Sequence, residues 1–275
     1  MDTRRYYAEN AEREWERLTE TPVKGLELEG TMATLDDHLP DDGRVLDAGG
    51  GPGRYAVELA ERGYNISHLD PTPELVDVAR EKAASAGVAE SIDHRLGDVR
   101  ALPYPDDAFD ATCCLGGVLS HVLDETERRA AAAELRRVTR PGGPVFVAVI
   151  GRLGAVRYGI KNSAESDVGP ADWRVIEHIL ETGDYTEAAV ERFGATEGWA
   201  ENHTFRVDEL ETLLATAGLA PAEVVALEGI ASNLHDELAD ADETAVEAIR
   251  RIAESLRRDR AAAEVSEHFM VVARA

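Results

Sequence analysis

Apolar and polar positions alternate in a regular rhythm along the middle of the chain. Val45 and Leu46 form a short apolar run that ends on Asp47 and dissolves into Gly49, Gly50, Gly51 and Gly53. Tyr55, Ala56, Leu59 and Ala60 then recur at helical spacing and stop at Gly63, which predicts strand, tight loop and helix. Residues 64–70 read as a second strand, and Thr72-Pro73-Glu74 as the capped start of a helix running through Leu75, Val76 and Ala79 to Gly87. A third strand is predicted at 92–96, ending near Gly97-Asp98. A fourth spans 109–115 and leads into Gly116-Gly117. A long helix with Ala130, Leu135 and Val138 stops at Pro141-Gly142-Gly143. The fifth strand, 145–150, is apolar throughout, as a strand buried on both faces should be. Strands and helices alternating at this spacing predict an α/β fold with a doubly wound, mostly parallel sheet.

The rhythm is absent at both ends of this stretch. Residues 5–20 carry Tyr6, Tyr7, Trp15 and Leu18 among charges and predict an amphipathic helix whose aromatic face buries against something. A helix is possible between Thr21-Pro22 and the 39–43 turn. Residues 151–200 mix Gly, Ser and acids with Tyr158, Trp173, Tyr185, Phe193 and Trp199, and predict a helical insertion after the fifth strand. Asp208 is expected to cap a helix through Leu210, Leu213 and Leu214. A sixth strand follows at 224–227, a charged helix at about 236–260, and a last strand at 269–273. The expected division is an N-terminal helical lid (1–42), a core (43–150), a helical insertion serving as substrate lid (151–200), and a completion of the core sheet (201–275).

Composition narrows the partners. The chain has 275 residues, 54 acidic against 29 basic, for a net charge of -25. Lys24, Lys82 and Lys161 are its only lysines. Such a surface repels nucleic acid and acidic membranes, and no local basic patch offsets it. Many acids and few lysines also suit a cytosol of high salt, where screening relieves self-repulsion. Cys113 and Cys114 are neighbours in an apolar run, which supplies no disulfide framework and fits a reducing, cytoplasmic compartment. The charged first 20 residues do not read as a signal peptide, and no stretch has the length of a membrane span. No metal site is expected.

The glycine loop carries the candidate chemistry. From Gly51 it reads Gly-x-Gly-x-x-Ala, a relaxed dinucleotide fingerprint. From Asp47 it reads Asp-x-Gly-x-Gly-x-Gly. A carboxylate just before the glycines suits a cationic ligand, such as an ammonium or sulfonium, and repels a pyrophosphate. In a doubly wound sheet, ligands sit beyond the carboxyl ends of the strands. Asp47, Asp70 and Asp98 fall at three successive strand ends. Asp70 follows Asp47 at about the 20-residue separation of a carboxylate that takes both ribose hydroxyls. Asp98-Val99 suits an adenine, the carboxylate accepting from its amine and a backbone N–H donating to a ring nitrogen.

Val45 to Gly53 resembles motif I of the class I, Rossmann-like S-adenosylmethionine-dependent methyltransferases. Leu69 to Glu74 resembles motif II, Gly97-Asp98-Val99 motif III, and Phe109-Asp110, Leu115-Gly116-Gly117, Glu134 to Val138 and Arg140 to Gly143 the later landmarks. The resemblance covers 43–150 strongly and 203–275 more loosely. It implies a seven-stranded sheet whose last strand is reversed, and S-adenosylmethionine as cofactor. It places Asp47, Ala48, Gly49, Gly51 and Gly53 around the methionine part, Asp70 and Pro71 at the ribose, Asp98 and Val99 at the adenine, and Leu115 on the floor. In-line displacement at a sulfonium methyl follows. The protein then mainly aligns the reactants and excludes water, and a base is needed only if the acceptor must lose a proton. His121, just past the fourth strand, and His203, at the end of the insertion, are the candidate bases. The chain lacks the Asn/Asp-Pro-Pro-Tyr/Phe of base amine methyltransferases and the lysines of ribose methyltransferases, so a small-molecule methyl acceptor is expected. Two other readings stand: a NAD-dependent oxidoreductase, or a non-catalytic S-adenosylmethionine-binding protein.

Overall fold

The computed structural model describes residues 3–165, 170–195 and 200–275, and Trp199 therefore lies outside the described residues. In chain order the elements are α1 (Thr3–Glu9), α2 (Ala11–Glu16), α3 (Pro22–His38), β1 (Arg44–Ala48), α4 (Arg54–Glu61), β2 (Asn65–Asp70), α5 (Pro73–Ser85), β3 (Ile92–Leu96), β4 (Ala111–Cys114), α6 (Glu125–Val138), β5 (Pro144–Ile150), α7 (Arg152–Glu165), α8 (Pro170–Thr182), β6 (Asp184–Tyr185), α9 (Glu187–Phe193), β7 (Asn202–His203), α10 (Val207–Thr216), β8 (Ala220–Ala226), α11 (Glu243–Leu256), α12 (Arg260–Val265) and β9 (His268–Arg274).

Seven strands form one sheet in the order β3-β2-β1-β4-β5-β9-β8. The β1–β2, β1–β4, β2–β3 and β4–β5 pairs are parallel, while β9 runs antiparallel to both β5 and β8. The expected mostly parallel, doubly wound sheet with a reversed last strand is what forms. Side chains of β5 alternate between two cores. Val145, Val147 and Val149 join Leu46, Leu135 and Phe269 on one face, and Phe146 and Ala148 join Val45, Leu59 and Met270 on the other. Helices cover both faces, so the strands read as unbroken apolar runs. The strand order reverses between β1 and β4, which opens a crevice at their carboxyl ends.

The structure departs from the sequence reading at several points. The single helix expected over 5–20 is broken at Asn10, whose side-chain amide donates to the Tyr6 carbonyl at 2.7 Å and gives the chain an alternative to the helical ladder. Its aromatic face lies on α5, where Tyr7 and Trp15 pack against Ala11, Leu75 and Val78. Thr72 occupies the N-cap of α5 but makes no side-chain cap, and its backbone N–H donates to Asp70 instead. Asp208 lies inside α10, whose N-cap is Arg206. The charged helix expected over 236–260 is two helices, α11 capped by Asp242 and α12 capped by Asp259. Between β5 and β8, helices α7, α8 and α9 are accompanied by the β6–β7 ladder and share a small core of Val175, Ile179, Tyr185 and Val190.

Candidate active site

A cavity of about 1110 Å³ opens at the β1/β4 crevice and takes its lining from the glycine loop, three strand ends, α1, α2 and the start of β9. Asp47 closes β1 and lines it. Its side chain is 1 % exposed, and neither carboxylate oxygen has a hydrogen-bond partner. Burial first, and the charge of Asp70 second, push its pKa up to about 7. A buried acceptor without a donor costs free energy unless something supplies one, so this carboxylate is poised for a cationic ligand.

The loop above it is held from below. The N–H groups of Gly49 and Gly50 donate to the Leu69 carbonyl at 2.7 and 3.1 Å. His68, on β2, is within 3.0 Å of the Gly51 carbonyl through Nε2 and 3.2 Å from His94 Nδ1 through its own Nδ1. Burial pushes the His68 pKa down to about 4, so the ring is neutral and Nε2 donates. The four glycines have different tasks. A Cβ on Gly49 would meet Val118 Cγ2 at 2.5 Å, and one on Gly53 would meet Ala79 Cβ at 2.8 Å, so both are small for packing. Gly51 has φ +55° and nothing within 4 Å of a Cβ position, which leaves open space beside the loop. Gly53 and Ala48 are not among the residues lining the cavity, whereas Gly49 and Gly51 are.

Asp70 ends β2 and is buried. Oδ2 accepts from the Gly51 N–H at 3.0 Å and Oδ1 from the Thr72 N–H at 2.8 Å. Burial pushes its pKa up to about 6 against the pull of those two donors. Asp70 therefore also fastens the loop. Asp98 is more occupied. Arg100 grips it through Nη2 at 2.6 Å and Nε at 2.8 Å, which holds its pKa below the ordinary value, and Arg100 also reaches Glu127. Pro71, Val99 and Leu115 line the cavity with these acids.

The two histidines separate. His121 lines the cavity, with Nε2 2.8 Å from Tyr7 Oη and Nδ1 2.9 Å from the Glu201 carbonyl oxygen. His203 is not part of the lining. It lies buried between Asp184, 2.6 Å from Nδ1, and Glu209, 2.6 Å from Nε2. Both nitrogens are occupied, and the ring ties β7 to β6 and α10.

The far end of the cavity was not visible in the sequence. Arg17 forms a two-toothed pair with buried Glu27 at 2.7 and 3.0 Å and lies 3.5 Å from Glu14. His268 donates to Glu228 at 2.8 Å and is 3.6 Å from Glu27, and these acids push its pKa up to about 9 against its burial. Glu27, Glu228 and His268 are the one grouping of metal-ligand type among the described residues. Arg17 and the protonated His268 already neutralise it, so it is an ion network.

Known proteins agree with this geometry. Residues 45–143 match the family described as a methyltransferase domain. A ubiquinone biosynthesis O-methyltransferase of Methylocella silvestris is 38% identical over 109 residues, 40% of each chain. A demethylmenaquinone methyltransferase of Deinococcus radiodurans is 40% identical over 102 residues, 36% of this chain and 40% of that protein. The chain thus spans about two fifths of the length of these curated relatives. Over nearly the whole chain the likeness is one of fold. A SAM-dependent methyltransferase of Methanosarcina mazei superposes with TM-score 0.59 at 20% identity, covering 88% of this chain and 96% of that one. One from Mesorhizobium loti gives 0.58 at 20%, covering 91% and 100%. The orphaned Asp47 carboxylate and the open space at Gly51 fit the S-adenosylmethionine in the names of these two solved structures. Residues 45–143 thus match a methyltransferase domain, within a fold shared with solved structures described as SAM-dependent methyltransferases.

Proposed function

We propose that this protein transfers a methyl group in line from S-adenosylmethionine to a small-molecule acceptor held in the same cavity. The observation that carries the reading is Asp47: a buried carboxylate with both oxygens unpartnered, in the wall of a cavity it shares with Asp70 and Asp98. Bound S-adenosylmethionine supplies a methyl already activated on a sulfonium. Asp47 meets the cationic amino-acid end, Asp70 the ribose hydroxyls, Asp98 with the Val99 N–H the adenine, and Leu115 the floor. The same carboxylates oppose a pyrophosphate, which weighs against NAD.

A small acceptor suits the dimensions. The cavity, about 1110 Å³, exceeds the range of about 300–1000 Å³ usual for one ligand, which leaves room beside the cofactor. The net charge of -25 weighs against nucleic acid and anionic membranes. No helix among the described residues is long and apolar enough to cross a membrane. Buried, free Cys113 and Cys114 support a reducing, cytoplasmic setting. We read 1–42 and 151–200 as the segments that close over the acceptor and keep water out, around the core of 43–150 and its completion, 201–275.

Titration calorimetry with S-adenosylmethionine, S-adenosylhomocysteine and NAD tests the reading. The first two should bind and NAD should not. Binding of NAD alone would overturn it in favour of an oxidoreductase. Binding without turnover across a broad metabolite screen would favour a non-catalytic S-adenosylmethionine-binding protein.

A further inference from the structure

Tyr7 and His121 meet in the cavity wall although 114 residues separate them in the chain. The hydrogen-bond directions between them follow from elementary chemistry. The Glu201 carbonyl only accepts, so His121 Nδ1, 2.9 Å away, carries a proton. Burial holds the His121 pKa below its ordinary value, so the ring is neutral and Nε2 is bare. Tyr7 must then donate its hydroxyl proton to Nε2 across 2.8 Å. The phenol oxygen keeps two lone pairs, and Tyr7 lines the same cavity as Asp47 and the glycine loop.

We propose that Tyr7 is a catalytic residue that contacts the acceptor heteroatom, and that His121 receives the acceptor's proton through it. This rests on the methyltransferase reading above. It assigns the acceptor to compounds whose attacking atom is an oxygen or nitrogen bearing a removable proton. As the heteroatom's electron pair forms the bond to the methyl carbon, the carbon–sulfur pair goes to sulfur. The acceptor proton passes to Tyr7 oxygen, and the Tyr7 proton passes to His121 Nε2. A neutral acceptor and a sulfonium thus give a methylated product, a thioether and an imidazolium.

The surroundings favour a concerted hop over a free phenolate. Burial and the nearby Glu14, Tyr6 and Asp70 raise the Tyr7 pKa, with Arg17 opposing them. His268, facing from β9, disfavours the His121 cation, while the Glu201 carbonyl favours it. The imidazolium is therefore short-lived and returns its proton to solvent after each turnover. The same two side chains also attach α1 to the core, so the test must separate chemistry from attachment.

Tyr7→Phe and His121→Asn in the full chain provide it. Both variants should bind S-adenosylhomocysteine within about threefold of wild type. Methyl transfer is then measured on aryl and alkyl probe compounds that share a skeleton and differ only in bearing a hydroxyl, an amine or a methyl ether. Only hydroxyl and amine members should be methylated. Tyr7→Phe should lower kcat at least 30-fold with KM changed less than threefold, and should remove the ascending limb of the kcat–pH profile. Nitrogen-15 NMR of labelled histidine should show His121 as the neutral Nδ1–H tautomer, with an Nε2 resonance that moves in Tyr7→Phe. Retained kcat in Tyr7→Phe, an unchanged pH profile, an Nε2–H tautomer, or a wild type that binds cofactor product yet methylates no hydroxyl or amine probe would each overturn the proposal. Failure of the wild type to bind S-adenosylhomocysteine would instead overturn the reading beneath it.

Discussion

Cofactor affinity should fall steeply below neutral pH, and Asp47 sets the slope. Its carboxylate is 1 % exposed and meets no donor, and its pKa is pushed up to about 7. A cationic ligand is held by the ionised form, so the apparent Kd carries the factor 1 + 10^(pKa − pH). That factor is about 1.1 at pH 8 and about 11 at pH 6, a tenfold change or about 1.4 kcal/mol. Asp70, pushed up to about 6, adds a factor of about 2 at pH 6. S-adenosylhomocysteine should therefore bind about tenfold to twentyfold more weakly at pH 6 than at pH 8. Calorimetry in buffers of different ionisation enthalpy would count the protons released, about half of one from Asp47 near pH 7. Asp47→Asn should bind more weakly at pH 8 and lose most of the pH dependence. A wild-type Kd that is flat from pH 6 to pH 8, or binding without proton release, would refute the reasoning.

The same group acts on the ligand-free protein with a recognisable sign. The folded pKa of Asp47 lies above its ordinary 3.8, so its stability contribution is fully present below 3.8 and is lost as pH rises towards 7. A gap of about three pKa units corresponds to about 4 kcal/mol. Asp47→Asn carries no charge at any of these pH values. Its melting temperature should exceed that of wild type at pH 8 and approach it at pH 4, while cofactor binding is weakened. A site that holds a cation by an unpaired buried carboxylate costs stability until the cation arrives.

Three further outcomes follow from the structure. Gly51→Val should abolish S-adenosylhomocysteine binding, because its side chain would enter the open space beside the loop at φ +55°; normal calorimetric binding would make the loop an ordinary turn. Asp70→Ala should weaken binding by about 1.5–3 kcal/mol, the scale of hydrogen bonds to a charged group, and an unchanged Kd in a well-folded variant would end the ribose assignment. The melting temperature should rise with salt, since screening shortens charge repulsion from about 30 Å at 0.01 M to about 3 Å at 1 M, and a flat or falling chloride series would contradict it.

The half of the cavity built from the glycine loop and the strand ends is legible in the sequence because neighbours in sequence are neighbours there. Asp47 lies near the end of β1 and Gly51 in the loop that follows, and Asp70 ends β2 and Asp98 follows β3 in a sheet whose burial on both faces is written in runs such as 145–150. That Gly49 and Gly53 are small for packing was not legible, since Val118 and Ala79, the residues they would meet, come from other elements. His68 gave no signal within an ordinary strand, yet it props Gly51. His203 looked like a free base, and only the fold shows Asp184 and Glu209 closing on it.

The opposite half of the site comes from the chain's ends, and its physics differs. Helices α1 and α2 have 7 and 6 residues, too short to persist alone, and α1 buries no residue fully. Polar contacts hold them. Tyr7 reaches His121, Arg17 reaches Glu27, and Trp15 lies under Arg54 and Lys82 at 5.0 and 5.5 Å. Glu27 in turn faces His268, which Glu228 holds. Removing one member of the Arg17–Glu27–His268–Glu228 set leaves an uncompensated buried charge. Directional contacts fix the Tyr7 oxygen in space more closely than apolar packing of a loose helix would. On the proposed reading of 1–42 as a lid, these contacts are the ones that must break for the acceptor end to open while Asp47 and Asp70 stay in the sheet. That reading assigns opening for the acceptor and retention of the cofactor to different parts of one cavity wall.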